Sequence, residues 1–107
     1  MTPDRHFPPA AALSLLLVCS ALPATAQDIH LARNLAATCA GCHGTNGQAR
    51  GDMKPLAGMS ADKIVALFTD YRSGAQPSSI MGQISKGYTD AQIKLVAGYF
   101  AAQPAKK

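Results

Sequence analysis

Three stretches of this chain place apolar residues at the period of an α-helix, and none alternates convincingly at the period of a β-strand. The first is expected to open at Asp28, a suitable N-cap, and to run to about Thr38 with Ile29, Ala32, Leu35 and Ala36 on one face. The second runs from about Ala61 to Arg72, where Ile64, Leu67, Phe68 and Tyr71 fall at i, i+3, i+4 and i+7. Ser60 caps it and Gly74 supplies a stop. The third opens on the capping box Thr89-Asp90-Ala91-Gln92 and ends soon before Pro104. Its apolar face is Ile93, Val96, Ala97 and Phe100, widened by Leu95 and Tyr99. An all-α fold with three main helices and no sheet is the expectation.

Two segments fall outside this pattern. Ala10 to Leu22 is an apolar run of 13 residues, followed by Pro23 and the A-x-A sequence Ala24-Thr25-Ala26. With Arg5 and His6 ahead of it, this is the layout of a secretory signal peptide cleaved after Ala26. The run is shorter than the roughly 20 apolar residues needed to span a bilayer. The expected division is therefore a leader at 1–26 and a single domain at 27–107, located in the periplasm with no remaining membrane span. Cys19 leaves with the leader. The second segment, between His43 and Ser60, carries Gly44, Gly47, Gly51 and Gly58 and has no helical period.

Composition sharpens the picture after the leader is removed. The 81 residues from Gln27 to Lys107 hold 36 hydrophobic ones, of which 14 are alanine. Setting aside Cys39 and Cys42 leaves 20 larger apolar side chains. Cores of this size seldom supply more than about 3–5 kcal/mol without a staple such as a metal or disulfides. The charge of +4 comes from scattered residues. Arg50, Lys54, Lys63, Arg72, Lys86 and Lys94 either ring a functional edge that steers an acidic partner or form an ordinary solvated surface. The clustering of basic and aromatic residues that marks nucleic-acid binding is missing.

Cys39-Ala40-Gly41-Cys42-His43 is a C-x-x-C-H run, the pattern for covalent attachment of one haem c. Two thiols three positions apart each add to one vinyl group of a porphyrin, and the adjacent His43 reaches the iron as an axial ligand. The alternatives are a disulfide, a thioredoxin-like pair and a zinc half-site. Zinc needs four ligands, and only His30 remains after the motif. A thioredoxin-like site needs a βαβ setting. A haem also accounts for the glycine-rich segment, because glycines let backbone approach a flat ring.

For the second axial position the chain offers Met53, Met59, Met81 and His30. Met53 lies only 10 residues after His43 and must double back, whereas Met81 lies 38 residues on, beyond the second helix. Met81 is the expected ligand, with Met59 the next candidate. Met53 and Met59 otherwise fill gaps, as methionine readily does. His30 is expected to be an exposed helix residue. The other ring nitrogen of His43 needs an acceptor, and the carbonyl of Pro55 is the expected partner. Tyr71 and Arg72 are candidates for contacts with the haem propionates.

From its motif through Pro55-Leu56-Ala57-Gly58, Met81 and the closing helix with Tyr99, the chain resembles class I c-type cytochromes. That resemblance implies a fold in which the first and last helices cross, with Ala32 and Leu35 against Leu95, Gly98 and Tyr99. It also implies single-electron transfer, with no residue acting as acid, base or nucleophile. The run Ile80-Met81-Gly82-Gln83-Ile84-Ser85-Lys86-Gly87-Tyr88, with Ala97-Gly98-Tyr99-Phe100, looks like the cytochrome subunits of flavocytochrome c sulfide dehydrogenases. This narrower likeness implies a flavoprotein partner that oxidises sulfide. Many such subunits have two haem domains, and this chain has one motif, so a freestanding carrier of the c5 or c553 type is the alternative.

Overall fold

A computed structural model describes residues 24–107, with side chains from Ile29 onward. The expected leader therefore lies almost wholly outside the described residues. Helix α1 spans Ala24–Ala37. It starts earlier than the capping pattern suggests, and Asp28 lies within it rather than at its N-cap. The strong helix propensity of Ala24 and Ala26 carries the helix upstream of that signal. Its C-terminal end is closed by Cys39 N–H, which donates to the Ala36 carbonyl at 3.1 Å.

A one-turn helix α2 (Ala40–His43) follows, then a 3-10 turn over Thr45–Gly47 and an irregular segment to Ser60. Helix α3 covers Ala61–Ser73, with Ser60 accepting from Lys63 N–H and Gly74 ending it in the left-handed conformation. Helix α5 covers Asp90–Ala101, and both bonds of the Thr89–Gln92 capping box are formed. Between them lies α4 (Ser79–Lys86), which the apolar pattern does not reveal. It is only 8 residues long, and Gly82 interrupts a short apolar set of Ile80, Met81 and Ile84. Ser78, which accepts from Met81 N–H at 3.1 Å, is the one local signal for its start. No strand occurs among the described residues.

The core joins α1, α3 and α5 through Ala36, Ile64, Phe68, Ile93, Val96, Ala97 and Phe100. Helix α5 packs against both α1 and α3, while α4 lies on α3. The expected crossing of first and last helices is present, with Leu35 and Tyr99 packed at its margin. Gly98 is not its point of close approach. It is exposed, and a Cβ there would meet no described atom within 4 Å.

Close approaches occur instead in the loop, and one of them is at Gly47, buried at φ 75°. A Cβ on it would lie 2.7 Å from Ala57 N and 2.8 Å from a Phe100 ring carbon. Its carbonyl accepts from Leu56 N–H at 2.9 Å and Ala57 N–H at 3.1 Å, closing the glycine-rich segment. Gly47→Ala should therefore lower the unfolding free energy by more than about 2 kcal/mol, because both the dihedral and the contacts resist it. Gly98→Ala should instead stabilise by about 0.5–1 kcal/mol, as expected in an open helix interior. Urea titrations of the purified haem protein, followed by circular dichroism, give both values.

Candidate functional site

The end of α1 hands the chain directly to the motif. Thr38 Oγ1 donates to the Leu35 carbonyl at 2.9 Å, which uses its single hydrogen. Tyr88 O–H must then donate to Thr38 Oγ1, 2.7 Å away, tying the residue before Cys39 to the approach of α5. Cys39 is half-buried against the core, Cys42 is exposed, and both are free thiols. Burial pushes the Cys39 thiol above its usual range. The turn of α2 gives Cys39 and Cys42 their spacing along one short helical segment, with His43 N–H bonded to the Cys39 carbonyl at 2.9 Å.

The His43 ring is held from behind. Nδ1 lies 2.8 Å from the carbonyl of Lys54. A carbonyl can only accept, so the proton sits on Nδ1 and the lone pair on Nε2. The acceptor is thus one residue earlier than the Pro55 carbonyl expected from the sequence. The reason is local: a residue preceding proline is driven to extended backbone, so Pro55 fixes the direction of the Lys54 carbonyl.

Helix α4, which carries Met81, packs on α3, whereas α2 of the motif packs on the 3-10 turn. Met81 is half-buried and stands outside the core cluster, as do Leu67 and Tyr71. Met59 packs against that cluster, as a gap filler would. Met53 is 45% exposed and lines an open cleft of about 650 Å³ with Cys42, Gly44, Gln48, Arg50 and Lys106. Neither His43 nor Met81 lines that cleft. His30 is exposed on α1. Arg72 is engaged within the protein. Its guanidinium donates to the Ser85 and Tyr88 carbonyls at 3.3 and 2.8 Å and to Asp90 at 2.8 Å.

These residues suit a covalently held haem. Two free thiols flank a turn whose histidine presents an unprotonated Nε2, and half-buried apolar side chains lie outside the core. Ile80 and Ile84, 66% and 40% exposed, are further apolar surface on the methionine helix. The described residues contain no cluster of three His, Cys, Asp or Glu side chains placed to hold a metal ion by themselves.

Fold and motif together define a small class I cytochrome c, and a cytochrome c family model matches residues 31–103; the chain belongs to that family. Members carry haem c covalently and transfer electrons, and the one C-x-x-C-H run of this chain fits one haem. Among relatives, the chain is 39% identical over 66 residues to the cytochrome subunit of sulfide dehydrogenase of Chlorobaculum tepidum, covering 62% of this chain and 60% of that one. It is 35% identical over 105 residues to the thiosulfate dehydrogenase electron acceptor of Stutzerimonas stutzeri, covering 94% of this chain and 49% of the relative. With cytochrome c-553 of Helicobacter pylori the identity is 37% over 90 residues, covering 82% and 88%. The solved cytochrome c4 of Acidithiobacillus ferrooxidans superposes with a TM-score of 0.60 at 31% identity, over 67% of this chain and 49% of that one. The chain thus spans 60% or less of the first two relatives and about half of the c4 chain.

The sequence reading missed how the site is braced. Asn46, at φ 55°, accepts from Tyr99 O–H at 2.6 Å and so joins the turn after His43 to α5. The Asn46-Gly47 pair is itself a turn signal tolerant of positive φ, and it could have marked this position. Tyr99→Phe should cost about 1 kcal/mol in a urea titration, the usual net contribution of one such bond.

Proposed function

We propose that Cys39 and Cys42 anchor the haem, that His43 and Met81 are its axial ligands, and that the protein is exported to the periplasm as the haem subunit of a sulfide-oxidising flavoprotein. The observation that carries the haem roles is the His43 ring, whose Nδ1–H is committed to the Lys54 carbonyl. That leaves Nε2 as the only ring nitrogen with a lone pair for iron. The free thiols of Cys39 and Cys42 would hold the group covalently, each S–H adding across one vinyl group with no net change in oxidation state. Bound haem supplies a one-electron couple at its iron. The chain's part is to hold two ligands in place through both states and leave no open coordination position for substrate.

Met81 is preferred because Met59 packs against the core cluster and Met53 sits on the exposed loop close to the motif. Met81→Ala should retain covalent haem, lower the reduction potential and admit cyanide to the iron. Met53→Leu and Met59→Leu should leave both properties near wild type. Potentiometry and cyanide titration of the three variants decide the assignment, and an unchanged Met81→Ala protein would refute it.

The subunit role is supported by the likeness of the Ile80–Tyr88 region and by the sulfide dehydrogenase relative. A second reading, a freestanding carrier, is supported by the cytochrome c-553 match, which covers 88% of that protein. Gentle purification of the untagged protein from its native host separates them. Flavin co-purifying with haem at a fixed ratio is the expected result, and a lone haem protein would favour the carrier.

A further inference from the structure

We propose that Arg72 is a positioning residue that sets the rotation of α4 and thereby the direction in which Met81 projects; this rests on Met81 being the axial ligand. Eight residues make a helix too short to hold its own shape in water, so α4 depends on what it packs against. Its inner face is fixed at two adjacent points. At Gly82 the helix lies beside the last turn of α3, where a Cβ would stand in ordinary van der Waals contact, 3.5 Å from the Tyr71 carbonyl oxygen. At Ser85 it is fully buried, with the Ser85 hydroxyl donating to the Gly82 carbonyl at 3.2 Å.

Arg72 grips the C-terminal end of this face. The Ser85 carbonyl is one of the last carbonyls of α4, which lack intrahelical partners, and Arg72 Nε donates to it at 3.3 Å. Its terminal nitrogens continue to the Tyr88 carbonyl and to Asp90, both at 2.8 Å. One side chain of α3 thus spans the end of α4, the connecting turn and the start of α5. The cation also suits the negative end of the α4 dipole. Met81 lies four residues before Ser85, so the two differ by roughly 40° around a helix of 3.6 residues per turn. Whatever holds Ser85 inward therefore holds Met81 in a fixed direction as well.

The ion pair is the lesser part of this clamp. Asp90 is 83% exposed, where such pairs contribute little. The two carbonyl bonds, made by a planar fork that lysine cannot copy, are the part that fixes geometry.

The test uses the purified haem protein. Arg72→Met is expected to keep covalent haem and helical circular dichroism, to weaken the red absorption band of sulfur-ligated ferric haem, and to bind cyanide at least tenfold faster than wild type. Asp90→Asn should change the cyanide rate less than twofold. Val96→Ala, a core truncation, should lower thermal stability without altering band or cyanide rate, which separates positioning from general loosening. If Arg72→Met yields no holoprotein, Arg72→Lys takes its place, with at least a threefold faster cyanide rate expected. An Arg72 variant with the wild-type band and cyanide rate overturns the clamp, provided Met81→Ala has lost the band. Retention of the band by Met81→Ala overturns the ligand assignment and the clamp with it.

Discussion

The site is organised around one carbonyl, that of Gly47, which accepts two successive amides from Leu56 and Ala57. This pair of bonds draws the far end of the glycine-rich segment back against its beginning. Lys54 and Pro55 are thereby brought behind the His43 ring, where the Lys54 carbonyl takes the Nδ1 proton. Gly47 also lies so close to the Phe100 ring that a Cβ on it would stand 2.8 Å from a ring carbon. The histidine's orientation, the course of the loop and the end of α5 are consequently one mechanical unit. Gly58 N–H to the Phe100 carbonyl and Gln48 to the Pro104 carbonyl tie the loop to the chain's end at two further points.

Helix α5 is the wall against which the two halves of the site are built. Val96, Ala97 and Phe100 are almost completely buried and meet residues from α1 and α3. Complete burial of each larger side chain contributes about 1.5–3 kcal/mol, so this interface is the largest store of apolar contact the small core has. It is a thin one, with alanine at several buried positions. Leu67, Tyr71 and Met81 remain half-buried outside it. A covalently held ring gives such side chains something to pack on, which is how a domain with so few large apolar residues becomes stable.

Most of the helical frame was legible because three of its helices show an apolar period, and two of them, α3 and α5, also a cap. Ser60, Thr89 and Gln92 cap as their sequence positions imply. The motif was legible because its chemistry demands adjacent residues. What escaped was set by tertiary contacts. Helix α4 is too short, and too interrupted by Gly82, to show a period. Gly98 suggested a close helix crossing, yet the backbone that cannot take a side chain lies in the loop, at Gly44, Gly47 and Gly58. Pro55 pointed to the right place but the wrong atom, since proline acts on the residue before it. The partners of Arg72, Ser85, Tyr88 and Asp90, are likewise brought together only by the packing of α3, α4 and α5.

The two proposed ligands are consequently held by different means. His43 belongs to a covalently anchored turn and is backed by a loop locked through a buried glycine, so its position follows from local backbone closure. Met81 rides on a short helix that owes its orientation to a neighbour's side chain. The closure at Gly47 joins backbone to backbone, whereas the seat of α4 depends on one side chain, that of Arg72. The methionine side is therefore the softer of the two, and sequence variation near α3 and α4 has more room to adjust the iron's environment than variation around the attachment motif.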